Sequence, residues 1–162
     1  MRRILLTFAA LALLAAPAAA FAARGDAGDG TLAVRKASGD TLLQPVVGLG
    51  LDGAVVGHIT AGRLVVLPST TGPDPIVTGA DHTIDRIDGS TIYAGGDISF
   101  KAVGGYYRFR ITGIGIDVNV VGQGKAWLYG SPTDTPGDGS YSTNGAAWKS
   151  MPDTMTRVSI GS

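Results

Sequence analysis

Two clusters in this sequence hold the residue types that metals and general acids require. Asp81, His82 and Asp85, with Asp88 just beyond, form the one place where carboxylates and an imidazole gather, and His58 and His82 are the only histidines. Zinc or iron needs two or three such side chains converging on one point. On an extended backbone Asp81, Thr83 and Asp85 share a face while His82 turns to the other, so a polar entry to a turn accounts for the same residues. The second cluster is Gly113-Ile114-Gly115-Ile116-Asp117, which partly matches the calcium-binding nonapeptide G-G-x-G-x-D-x-U-x. Thr112 stands where its first glycine belongs, Asn119 where its large apolar residue belongs, and the next unit carries Ala126 in place of the aspartate. Calcium takes six or more oxygen ligands. Asp117 is thus a weak candidate, strand packing accounts for the glycines, and no metal or other cofactor is expected.

Nucleophilic and acid–base chemistry fares no better. There is no cysteine, no G-x-S-x-G elbow, and no H-E-x-x-H because all 13 acidic residues are Asp. A carboxylate pair for glycoside hydrolysis could only be Asp with Asp, and nothing selects a pair. An enzyme would have to rest on Asp81, His82 and Asp85; the expectation is a protein that does not catalyse. Arg24-Gly25-Asp26 matches an integrin-binding tripeptide, which is three residues in a stretch rich in Gly and Asp. Leu67-Pro68-Ser69-Thr70-Thr71 lacks the glycine and the apolar, basic tail of a sortase signal.

The aromatics offer a binding surface instead. Tyr106, Tyr107, Trp127, Tyr129, Tyr141 and Trp148 crowd the later part of the chain. On the parity that buries Ile116, Val118 and Val120, Ala126 and Leu128 point inward. Trp127 and Tyr129 then point outward with Lys125, where rings can stack on sugars or meet a partner protein. A one-residue bulge at Gly122 or Gly124 would reverse that assignment. Trp127, Tyr129 and Tyr107 are the candidate ligand-binding residues.

These side chains need a sheet to hold them. From Asp97 to Gly130 the chain alternates in twos: Ile98, Phe100 and Ala102, then Tyr107, Phe109 and Ile111, then Ile114, Ile116, Val118 and Val120 after a change of parity at Gly113. A period of two is the signature of half-buried strands, here three of them separated by glycines. Thr31 to Ala37 makes a first strand that turns at Ser38-Gly39-Asp40. Asp52-Gly53, Ala61-Gly62, Asp88-Gly89, Gly104-Gly105 and Asn144-Gly145 punctuate the rest as hairpin turns. Pro68 to Pro75 and Ser131 to Ser140 are long loops, since proline removes ladder donors. With 25 glycines and no Glu, helix is disfavoured. The fold class is all-β: a single antiparallel sandwich or barrel-like domain, with a short β-solenoid as the alternative, because GIGIDVNVV and GQGKAWLYG both carry Gly at positions one and three.

The chain opens with Met1-Arg2-Arg3, an apolar Leu/Ala run and Ala20-Phe21-Ala22, the layout of a secretory signal peptide over residues 1–22. A flexible leader over 23–30 and one all-β domain over 31–162 follow, with no membrane span after cleavage. The 13 basic residues fall to 11 once Arg2 and Arg3 are set aside, against 13 Asp, so the mature chain lacks the basic surplus of a nucleic-acid binder. The run from GYYRFRITGIGIDVNVVGQGKAWLYG to GDGSYSTNGAAWKSMP resembles exported bacterial β-rich proteins of uncharacterised function. That resemblance implies secretion and an all-β fold and brings no activity. The sequence is therefore expected to encode an exported or envelope β domain that works by surface contact with an envelope polymer or a protein, or as a structural component. A carbohydrate-binding face on Trp127 and Tyr129 is the more specific alternative.

Overall fold

Runs of Val, Ile, Leu, Phe and Tyr in period two, with no Glu and abundant Gly, leave strand as the regular structure that can bury them. The computed structural model describes residues 28–45, 53–67, 72–105, 107–130 and 139–161. Ten strands follow in order: β1 (Gly30–Pro45), β2 (Ala54–Leu67), β3 (Ile76–Thr78), β4 (His82–Asp85), β5 (Thr91–Val103), β6 (Arg108–Gly122), β7 (Gly124–Gly130), β8 (Ser140–Thr143), β9 (Lys149–Ser150) and β10 (Thr156–Ile160). They form one sheet in the order β10-β7-β1-β6-β2-β5-β3, with β4 against β5 and β8 bridging β1 and β9. Every pairing is antiparallel. The architecture is all-β and sandwich- or barrel-like, and the antiparallel pairing rules out the parallel coils of a solenoid. The expected signal peptide, most of the leader, Asp52, the first half of the loop at 68–75 and the greater part of the loop at 131–140 lie outside the described residues.

Three of the expected turns are not turns. Strand β1 runs straight through Ser38-Gly39-Asp40, β2 through Ala61-Gly62, and β6 through Gly113. Gly130, Gly39, Gly113, Gly62 and Gly95 are successive cross-strand partners on β7, β1, β6, β2 and β5, a row of glycines crossing the sheet. At Gly62 the backbone has φ 152°, and a Cβ there would lie 2.7 Å from Gly113 Cα and closer still to Thr112 O. Side chains on this row would force adjacent backbones apart, so glycine is what lets the long strands bend together.

The bend doubles the sheet over. Along β2, Gly57 and Val66 pair with Phe100 and Phe109, nine residues apart, which is about 30 Å on a straight strand. Yet the two phenyl rings sit 5.8 Å apart, centroid to centroid. The ends of β1 behave likewise: Gly30 pairs with Gly122 and Pro45 with Gly124, partners separated only by Gln123. The inward face also changes parity at the row. Leu32 and Val34 precede Thr41 on β1, Val55 and Ile59 precede Leu64 on β2, and Phe109 and Ile111 precede Ile116 and Val118 on β6, all buried. One aliphatic and aromatic core thus fills the space between two halves of a single sheet.

Two predicted turns are present. Asp88-Gly89 closes the β4–β5 hairpin, where Arg86 N donates to Ser90 O at 2.8 Å. Asn144 and Gly145 both take positive φ, 51° and 72°, and turn the chain after β8. Asn144 then serves as a clasp. Its Oδ1 accepts from Thr31 N and Gly161 N, both at 3.1 Å, and its Nδ2 donates to Ser159 O at 3.4 Å, tying the start of β1 to the end of β10. Gly104-Gly105 links β5 to β6, but β2 lies between those strands, so this link is no hairpin.

Candidate functional site

The glycine row divides the outer surface into two faces built on the same long strands. On the face formed by β10, β7 and the later half of β1, β7 runs without a bulge against both neighbours. Ala126 and Leu128 are fully buried beneath it. Alternation therefore turns Lys125, Trp127 and Tyr129 outward; Trp127 is half-buried and Tyr129 is 45% exposed. Arg157 is the register partner of Trp127 on β10, and its guanidinium lies 5.9 Å from the indole centroid, within cation–π range.

Across β1 from Tyr129 stands Asp40, its partner in register. Arg110 grips the Asp40 carboxylate with NH2 at 2.7 Å and Nε at 3.3 Å, and Thr112 Oγ1 donates to it at 2.6 Å. Burial pushes this carboxyl up, but the bonds from Arg110 and Thr112 and the charges of Arg110 and Arg63 outweigh it and hold the group below the usual carboxylate range. Asp40 in turn raises the Arg110 guanidinium. The remaining cations of this face, Arg63, Arg108, Lys125 and Arg157, form no ion pair among the described residues.

The other outer face is lined by β5, β2 and β6 before the bend. His58 lies between Ser99 and Asp117 in register, and its Nε2 is 3.5 Å from Asp97 Oδ1. A shallow depression of about 350 Å³ opens over these residues, bounded also by Val56, Ile76, Lys101 and Asn119. Asp97 stands outside its lining and is 87% exposed, and the carboxylate that does line it, Asp117, accepts at Oδ1 from Lys36 N at 3.0 Å. Lys36 sits at φ 43° where β1 shifts register against β6. Asp117 therefore accepts from the backbone N–H of a residue at the bulge.

The sequence candidates fall out as follows. Trp127 and Tyr129 share one outward face. Tyr107 does not join them: it is 3% exposed, stacks on Phe109 with centroids 5.6 Å apart, and its hydroxyl donates to Pro73 O. The alternation that put Phe109 and Ile111 inside put Tyr107 there too, which removes it from the ligand-binding set. Gly113 and Gly115 of the calcium-like motif serve the bend, Gly115 lying at φ 61° against the Thr60 side chain. Asp81 Oδ2 accepts from Gly96 N at 3.2 Å and Asp85 Oδ1 from Thr91 Oγ1 at 2.8 Å, both holding β4 and its approach onto β5. Asp88 binds the Ser90 hydroxyl and amide, bonds that keep its carboxyl below the usual range. His82 pairs with Ala94 on that exposed strand. Among the described residues, no three His or Asp side chains gather to hold a metal.

Sequence reasoning missed Arg157, Asp40 and Arg110 as members of the aromatic face. The signal for Arg157 is present in Thr156-Arg157-Val158-Ser159-Ile160, which alternates like a strand. Its neighbour, however, lies thirty residues back on β7. Asp40 falls in a stretch that looks like a turn. Comparisons with protein-family models, with curated proteins and with solved structures returned no match.

Proposed function

We propose that this chain is an exported β domain that works by surface contact, and that its working surface is the outer face of β7 and β10. The observation that carries this is the pair Trp127 and Tyr129, held two residues apart on an unbulged strand whose alternate side chains are fully buried. Two rings about 7 Å apart on a flat strand can each take one sugar of an extended chain, presenting an apolar face and, from Tyr129, a polar tip. The site is rigid because Ala126 and Leu128 lock β7 to the core, so little conformational entropy is lost on binding. Carbohydrate is the ligand class favoured over a protein partner, since the aromatic surface is narrow and rimmed by polar groups.

Tryptophan fluorescence tests it. In a Trp148→Phe background, Trp127 is the sole indole, and titration with soluble cell-wall glycans and glucan oligomers should change its emission saturably. Trp127→Ala should weaken binding about tenfold or more, a loss of about 1.4 kcal/mol or greater, with the unfolding midpoint nearly unchanged. A flat titration with every glycan, on protein shown to be folded, would sink the proposal.

A further inference from the structure

We infer that the ligand of this face is an acidic polysaccharide, a chain of sugars bearing carboxylates, and not a neutral one; this rests on the carbohydrate reading just given. The argument is one of charge placement. On the outward rungs of β10, β7, β1, β6 and β2 beyond the bend stand Arg157, Lys125, Arg110, Arg108 and Arg63, and a single carboxylate, Asp40. Asp40 is only 16% exposed and already engaged by Arg110 and Thr112, so it neutralises one guanidinium and repels little. Arg63 adds its charge to that of Arg110 in holding Asp40, and three cations, Arg108, Lys125 and Arg157, form no ion pair among the described residues. The chain as a whole carries 13 basic and 13 acidic residues, so this excess is local. The other carboxylates lie off these rungs: Asp74, Asp81, Asp85, Asp88 and Asp97 flank β3, β4 and β5, with β4 closing the same half of the sheet beyond β5, and Asp153 follows Pro152, whose carbonyl accepts from Gly130 N at the end of β7.

The spatial order fits a sugar acid. Arg157 lies beside the Trp127 ring and Lys125 one rung away on the same strand, so a sugar stacked on the indole would bring its carboxylate within reach of a guanidinium fork or an ammonium. Arginine matches a carboxylate bidentately, and such charge-assisted bonds are the strong ones. Across β1, Arg110 and Thr112 flank the strand that separates them from Trp127 and Tyr129, which extends the cationic strip along the direction a polymer would run. A neutral glycan would leave all of these charges unanswered.

The experiment measures binding of the whole mature chain to four soluble polymers at equal monomer concentration: polygalacturonate, a neutral glucan, polyglutamate and oligothymidylate. Polygalacturonate should bind about tenfold tighter than the glucan, the ratio expected for one charge-assisted contact, and added salt should erode that preference. Lys125→Met with Arg157→Met should collapse the acid-over-neutral ratio, and Arg63→Met, remote from the indole, should lower it in part should the double variant fold poorly. Equal affinity for polygalacturonate and the glucan would overturn this inference while leaving the carbohydrate reading standing. Equal or tighter binding of polyglutamate or oligothymidylate would overturn it in favour of a general polyanion surface. No binding to any of the four would overturn both.

Discussion

The two outer faces of this molecule are carried by the same four long strands, yet they differ in chemistry. Before the bend, β5, β2 and β6 present His58, Asp97, Ser99, Asp117 and Asn119, and Asp117 is committed to the bulge of β1. Beyond it, β1 and β6 join β7 and β10 in presenting two aromatics and three cations, Arg108, Lys125 and Arg157, that form no ion pair among the described residues. Inside, the two halves are alike, both aliphatic and aromatic, and they meet at Phe100 and Phe109. The difference teaches that the core dictates only half of each strand. The outward half is free of that constraint: on one face Asp117 is committed to the bulge of β1, and on the other the outward side chains are the aromatics and cations on which the proposed function rests.

The largest test asks whether the two halves are one folding unit. Gly62→Val places a branched side chain on the bend, against the Thr112 carbonyl, and should cost about 3–5 kcal/mol through strain and clash combined. Gly104→Ala also sits at positive φ, 66°, but a Cβ there meets nothing, so it should cost only about 1 kcal/mol. Urea unfolding followed separately through Trp127 in one half and through Trp148, which stacks over Arg35 of the other at 4.2 Å, should give coincident midpoints in both variants. Separated midpoints would split the molecule into two independent halves.

A smaller effect isolates the half that carries Trp127 and Tyr129. The Asp40 carboxyl titrates lower folded than unfolded, so it contributes stability that is present above the unfolded value of about 4 and is lost as pH falls through the lower folded value. Wild type should therefore exceed Asp40→Asn in urea midpoint at neutral pH, and the gap should close in acid below about pH 4. A gap that persists at low pH would mean that the carboxylate charge is not what Arg110 and Thr112 hold.

The smallest effect lies just beneath. Thr41 is fully buried with its hydroxyl unpartnered among the described residues. Thr41→Val keeps the shape and removes the orphan group, so stability should stay level or rise by about 1 kcal/mol. A clear loss in the same urea assay would show that the hydroxyl has a partner, a buried water being the simplest.

Much of this was legible in residues alone. The alternation of Phe109, Ile111, Ile116, Val118 and Val120 indicated which of these side chains enter the core, but whether it continued to Leu128, and so set Trp127 and Tyr129 outside, depended on the absence of a bulge at Gly122 or Gly124, which only the register of β7 shows. The same alternation placed Tyr107 inside. The change of parity at Gly113 was also visible in the residues. It looked like the gap between two strands because a glycine that ends a strand and a glycine that bends one are written identically.

What separates those two cases is the neighbour. Gly39, Gly62 and Gly113 bend their strands because each faces another glycine across the sheet, and that register joins Gly113 to Gly62, 51 positions back in the chain, and to Gly39, 74 positions back. Local sequence carries period, polarity and the chirality demands of a turn such as Asn144-Gly145, since these depend on adjacent residues. The sequence by itself therefore determined an all-β chain and the parity of most core positions, Ile114 excepted, which alternation sent inward and which is 56% exposed next to the bend, and it carries no local catalytic motif. Tertiary structure alone decided that the glycines form a row, that Arg157 comes to lie beside Trp127, and that Arg110 neutralises Asp40 while its neighbours keep their charge. Each of those depends on strand order, and strand order is settled by how one core can be closed, not by any short run of residues.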